Sequence, residues 1–220
     1  MTPQFRKLAL LAHITISVGW IGAALAYLAF VVAAILSNEP QTLRAAWIAM
    51  GMVGWTVIVP LAYGAVLTGL VMALGTGWGV IRHYWVLASL VLSVAAAAVL
   101  LQHMRSVSVL ASVALQPHDA AAIGVLRRAL GGELLHAGLG VVVLLAIEGL
   151  NVYKPQGMTP YGRRVAPIPA PVRPVGAGAS GVRLQPAPCI RWGRVVGMHA
   201  IGIAILVTLM HLAGAGLRLH

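Results

Sequence analysis

Acidic residues are almost missing from this chain. Asp and Glu number four in 220 residues, against 15 Lys and Arg, and all charged residues together make up 9 %. A soluble domain carries roughly a quarter charged residues, so too little polar surface is available here to cover a water-soluble globule. Four carboxylates are also too few for a di-iron carboxylate bundle, which needs two Glu-x-x-His motifs and two further glutamates; Glu133-x-x-His136 stands without a second copy. Paired carboxylates, a catalytic triad and Gly-rich phosphate or nucleotide loops are all wanting. Cysteine is reduced to Cys189, which excludes an internal disulfide, a Cys-x-x-Cys redox pair and a Cys-x-x-Cys-His attachment of c-type haem.

Apolar residues fill the space left by charge. They make up 60 % of the chain, with mean hydropathy +0.92, and they occur in runs near the roughly 20 residues a bilayer crossing requires. The pattern predicts an all-α polytopic membrane bundle of about five transmembrane helices, at Leu8–Leu36, Ala46–Leu74, Tyr84–His103, Gly131–Val152 and Val195–Ala213. Ser106–Leu115 is too short to span and extends the third helix. Arg6 and Lys7 precede an apolar run too long for the core of a signal peptide, so the first run is a span. The expected organisation is a four-helix membrane domain over 1–154, a Pro-rich cytoplasmic linker over 155–194, and a fifth helix with a short outer tail over 195–220. Eight of the 12 prolines fall in Pro155–Arg194, which suits an extended, flexible connection.

The net charge of +11 would suggest nucleic acid in a soluble protein. Here most of the basic residues lie in connecting segments, where they set topology and meet lipid head groups, so nucleic acid is set aside as a partner and the lipid bilayer takes its place. With the N-terminus cytoplasmic, one side holds Arg6, Lys7, Arg82, Lys154, Arg163, Arg164, Arg173, Arg183, Arg191 and Arg194. The other holds Arg44, Arg105, Arg127, Arg128 and Arg218. That excess of basic residues within favours an N-in, C-out chain.

Histidine is what stands out inside the spans: His13, His103, His136, His199 and His211, with His83 at an edge. Ionisable groups at membrane depth are costly and face a bundle interior or a cofactor, although lone histidines also serve as plain interhelical hydrogen-bond partners. His13 and His199 share a depth near the cytoplasmic side; His103, His136 and His211 lie toward the outer side. Neutral imidazole ligates haem iron, copper or zinc, and an axial pair from two helices holds haem b without covalent attachment. If two haems b bind, the inner iron is expected on His13 and His199 and the outer on two of His103, His136 and His211; one haem is the simpler alternative, and copper remains open as the bound metal. Gly19, Gly22, Gly138 and Gly140 would let a flat macrocycle near the backbone, or serve helix packing alone. Methionine adjoins histidine in His103-Met104, Met198-His199 and Met210-His211, a copper ligand set, though adjacent helical residues face different ways. Glu133 orients His136 or makes a surface i,i+3 pair; Glu148 relays protons or snorkels to the interface. Trp20, Trp47, Trp78, Trp85 and Trp192, with Tyr84 and Tyr153, read as an interfacial aromatic belt.

Four stretches carry a resemblance: Leu8–Ala24 (LALLAHITISVGWIGAA), Gly77–Val94 (GWGVIRHYWVLASLVLSV), Leu100–Met104 (LLQHM) and Gly149–Arg164 (GLNVYKPQGMTPYGRR). They resemble a family of uncharacterised bacterial integral membrane proteins related to the copper-resistance D-like superfamily, which also holds the HemJ-type protoporphyrinogen oxidases. The resemblance implies haem b and marks His13 and His103 as the foremost functional histidines. It departs at Ser89, where the related proteins tend to carry a lysine, and this implies that porphyrinogen oxidation is lacking. The combined expectation is a haem b-binding protein of the bacterial cytoplasmic (inner) membrane in electron transfer or a related oxidoreductase step, with quinone or another redox partner. A copper or small-solute transporter and a non-catalytic membrane subunit are the competing readings.

Overall fold

The computed structural model describes residues 2–116 and 120–165. These form an all-α bundle: α1 (Pro3–Leu36), α2 (Pro40–Val53), a π-helical turn (Gly54–Ile58), α3 (Val59–Gly75), α4 (Tyr84–Leu115), α5 (Ala120–Tyr153) and the short α6 (Pro160–Arg164). The turn joins α2 and α3 into one span, so four described helices are long and apolar enough to cross a membrane. The expected fifth helix, with His199 and His211, lies outside the described residues, as does most of the Pro-rich segment.

The spans alternate in direction around the bundle. α1 packs against α2, α3 and α5; α4 packs against α2, α3 and α5. This is the up-down-up-down arrangement that short connections impose on neighbouring helices. Lipid tails are as apolar as leucine, so no hydrophobic effect pulls the spans together; close fit and internal hydrogen bonds must. Small residues accordingly line the seams. Ala34, Ala62, Ala65, Ala88, Ala97 and Ala114 are buried, while a Cβ on Gly51 would sit 3.0 Å from that of Ala111 and one on Gly64 would sit 3.2 Å from Ile16. Leu8, Leu11, Leu67, Leu135 and Val142 point outward and are exposed, as lipid-facing residues are.

Each helix boundary has a local cause. Thr2 caps α1, its Oγ1 accepting from Phe5 N, and Pro3 occupies a first-turn position that needs no donor. Pro60 lacks the N–H that an α-helix interior requires, and its ring crowds the preceding turn. The π turn at Gly54–Ile58 lies immediately before it and widens the helix there. α4 continues past His103 to Leu115, as expected of the apolar stretch Ser106–Leu115, whereas α5 begins at Ala120 rather than Gly131. The reason is at the distal end, where arginines occupy otherwise unpaired helix-end carbonyls. Arg44 donates through Nε to Ala114 O at 2.7 Å and through Nη2 to Gln116 O, beyond the end of α4. Arg127 donates to Ser37 O at 3.2 Å and Asn38 O at 3.1 Å, beyond the end of α1.

At the proximal end, Pro155–Val165 is docked rather than loose. Lys154 takes a left-handed backbone (φ 43°) and turns the chain back at the end of α5. Tyr84 N then donates to Gly157 O at 3.2 Å and Thr159 N to Arg82 O at 2.9 Å, while His83 and Met158 form an isolated bridge. Thr159 Oγ1 donates to Ile81 O and accepts from Gly162 N, capping α6. The extended, flexible character expected of the linker does not hold for these residues. Gly162 is central to the docking because a Cβ there would meet Arg82 O at 2.3 Å, a backbone atom with no rotamer to move. Gly162→Ala should therefore release α6 without unfolding the spans. Limited proteolysis should show new cleavage within 154–165 while the bundle's thermal midpoint changes little.

Candidate functional site

Two polar sites lie within the bundle, one above the other. Fourteen positions separate His13 from Tyr27 on α1 and Ser89 from His103 on α4, a rise of about 21 Å. The sequence pattern expects two layers of histidine; each site holds at least one of the predicted residues.

The distal site is centred on Glu133, which is 3 % exposed. Tyr27 Oη donates to Glu133 Oε1 at 2.6 Å, and His103 Nε2 lies 2.9 Å from Oε1 and 3.1 Å from Oε2. A carboxylate only accepts, so the proton of each contact is carried by the phenol and the imidazole. The His136 ring stacks on that of His103, with centroids 3.5 Å apart and planes 15° from parallel. The surface reading of Glu133 is thus overturned. Its helix begins 13 residues earlier than Glu133 itself, so the carboxylate lies deep in the bundle rather than at a helix start. It bonds to His103 across the α4–α5 seam, not to His136 on its own helix. His103 and His136 do come together, but by ring faces.

An apolar crevice adjoins this cluster, walled by residues of α4 and α5 and reaching Trp20 and Tyr27 on α1. Trp20 and Trp47 are buried, 5 % and 0 % exposed, and so leave the predicted aromatic belt for the interior. Met104, fully buried, packs onto Gly54 at the π turn, not against lipid. No Cβ neighbour lies within 4 Å of Gly22, Gly138 or Gly140, so these glycines do not mediate close helix contact; Gly140 lines the crevice.

The proximal site is a cleft of about 570 Å³, within the range of roughly 300–1,000 Å³ typical of cofactor and small-ligand sites. His13, Ser17, Thr76, Ser89, Ser93, Glu148, Asn151 and Lys154 supply polar groups, and Trp78 and Trp85 also line it. Thr68 decides the state of His13. Its hydroxyl proton goes to Gly64 O at 2.7 Å, so its oxygen accepts from His13 Nδ1 at 2.9 Å. The ring then carries its proton on Nδ1, and in neutral imidazole Nε2 is left with the lone pair a metal binds. Gly69 makes room for this ring: a Cβ there would stand 3.3 Å from His13 Cε1. Thr76 and Ser93 spend their protons on Met72 O and Ser89 O, both at 2.8 Å. Ser89 Oγ, by contrast, is buried with no hydrogen-bond partner, although such groups are normally satisfied. Lys154 Nζ lies 5.9 Å from the Trp78 ring, at the cleft margin.

His13, with a lone pair on Nε2, and Ser89, with an unpartnered buried hydroxyl, line one cleft of cofactor size. Tyr27, Thr68 and Gly69 carry much of this geometry and were not legible as site residues. The Thr68-Gly69 pair signals only ordinary helix packing, and the partner of Tyr27 is 106 positions away. Among the described residues, no three His, Cys, Asp or Glu side chains are placed to hold a metal ion by themselves. No family model, no curated protein and no solved structure matches the chain.

Proposed function

We propose that the protein is a haem b-binding membrane protein of the bacterial inner membrane, with the N-terminus cytoplasmic, serving electron transfer. The observation that carries this reading is His13: Thr68 holds its Nδ1–H and leaves the basic Nε2 lone pair, which would hold the haem iron. Haem, when bound, supplies a one-electron iron couple. The chain's own residues do the rest. Thr68 fixes the tautomer and ring plane of His13, Gly69 admits the ring, and Ser89 offers an unspent hydroxyl to a polar edge of the macrocycle. Lys154, at the margin where water and head groups begin, matches an acidic substituent. If two haems bind, the sequence reading pairs His13 with His199, which would hold the same iron; that residue lies outside the described ones. The resemblance to the copper-resistance D-like superfamily supports the same cofactor and the same first histidine.

The test is optical. Detergent-purified protein should show a reduced-minus-oxidised spectrum of b-type haem and a pyridine haemochrome count of one per chain. His13→Ala should empty the site, Thr68→Val should weaken it, and His136→Ala should leave it occupied. Haem-free protein with bound copper on metal analysis would favour the transport reading, and full haem content in His13→Ala would overturn the assignment of His13.

A further inference from the structure

We infer that Arg82, Arg163 and Arg164 form one binding site for the phosphate of an anionic phospholipid, assembled at the proximal end by the docking of residues 154–165. The docking joins distant stretches of chain. Thr159 N donates to Arg82 O at 2.9 Å, and Thr159 Oγ1 donates to Ile81 O and accepts from Gly162 N at 3.0 Å. Gly162 rests on the backbone of Arg82, with no room for a Cβ between them. Arg163 and Arg164 follow at once, exposed in the last turn of α6. Arg82 is itself held in place. Its stem lies over Gly79, where a Cβ would stand 2.9 Å from Cδ, and its Nη1 donates to Gly77 O at 3.4 Å. A guanidinium carries five N–H donors, so most of those on Arg82 are left for a ligand.

The charge of these arginines is not answered by the described residues. The ion pair found among those is His103–Glu133, in the distal site; Glu39 precedes α2 at the distal end, and Glu148 lines the His13 cleft. Guanidinium forks match the oxygens of phosphate, so the complementary ligand is a phosphate anion. Position decides its source. α3 ends at Gly75, α4 begins at Tyr84 and α5 ends at Tyr153, which puts residues 76–83 and α6 beyond the spans, at the level of lipid head groups. Trp78, Tyr153 and Tyr161 are exposed on these segments, as interfacial anchors are. A lipid phosphate is confined to that depth, whereas a soluble one must be captured from water. Diffuse attraction of basic segments to anionic lipid needs no fixed geometry. This site does, because Arg163 and Arg164 stand beside Arg82 only while Gly162 is docked. Lys154 belongs to the margin of the His13 cleft and takes no part, so the site stands independently of the haem reading.

The experiment uses the full chain in a neutral detergent, titrated with phosphatidylglycerol at constant ionic strength, with bound lipids counted by native mass spectrometry. One phosphatidylglycerol per chain should bind saturably, about 10-fold more tightly than zwitterionic phosphatidylcholine. Arg163→Gln with Arg164→Gln should weaken it about 20-fold, roughly 5-fold for each charge. Gly162→Ala keeps every charge but releases α6, and should weaken it by a similar factor. Arg105→Gln with Arg128→Gln removes the same charge at the distal end, far beyond a screening length, and should change affinity less than about 2-fold. Inorganic phosphate in millimolar excess should displace no lipid. Circular dichroism and gel filtration establish that each variant is folded, and proteolysis within 154–165 establishes release in Gly162→Ala. Equal losses in the two arginine pairs would reduce the effect to net charge and overturn the proposal. Full affinity in a released Gly162→Ala chain, or unsaturable binding, would do the same. Displacement by inorganic phosphate would give the arginines to a soluble anion and overturn the lipid assignment.

Discussion

Glu133→Ala should destabilise the bundle by about 2–3 kcal/mol, because its removal leaves two buried donors without their acceptor. Two donors lose their acceptor at once: the Tyr27 hydroxyl, 5 % exposed, and His103 Nε2. A buried unpaired donor costs about 1–3 kcal/mol. Hydrogen bonds between membrane helices average only about 0.6 kcal/mol, because groups freed in a membrane find other partners, and this places the expected value low in the range. Glu133→Gln should cost much less, since the amide oxygen still accepts from Tyr27. Tyr27→Phe added to Glu133→Ala should cost almost nothing further, because the bond it removes is already gone. Reversible unfolding in bicelles, measured for the four chains of this cycle, checks all three statements. A loss below about 1 kcal/mol for Glu133→Ala would mean that the carboxylate does not tie α1, α4 and α5 together.

Gly54→Ala should cost about 1–3 kcal/mol, the usual range for overpacking a filled interior. The added Cβ would lie 2.3 Å from Met104 Cε and 2.6 Å from Sδ, and Met104 is fully buried, with no solvent to retreat into. Methionine is flexible, so part of the strain is relieved by moving the thioether toward the crevice that Met104 also lines. Shortening that side chain should therefore rescue the variant: Met104→Ala with Gly54→Ala should be more stable than the sum of the single changes. The unfolding midpoint of the double variant is the measurement. Additive losses would place the cost in the π turn itself rather than in the contact.

Much of the bundle was legible because lipid imposes one rule on every span. Backbone groups must pair within the helix, and side chains facing lipid must be apolar, so long apolar runs mark helices directly. The ends were less legible, since they depend on polar groups from elsewhere. α5 begins at Ala120, not Gly131, within a frame of arginine contacts that join residues 70 to 90 positions apart. The linker's first residues were misjudged for a similar reason. Proline content argues against helix and against central strands, yet says nothing about docking, which here rests on Thr159 and on the space left by Gly162 beside Arg82 O.

The sequence by itself determined that this is a helical membrane protein, with histidines at two depths in an interior almost free of acidic groups. Composition suffices for that, since a chain so poor in charge has no other solvent. Only the tertiary structure decided what those histidines are. Helical phase and the α4–α5 seam bring His103 to Glu133 and face to face with His136, whereas Thr68 and Gly69 on α3 give His13 a defined tautomer and room for its ring. Depth can be counted along a chain, because helical rise is constant. The partner of a buried proton cannot, because it comes from another helix.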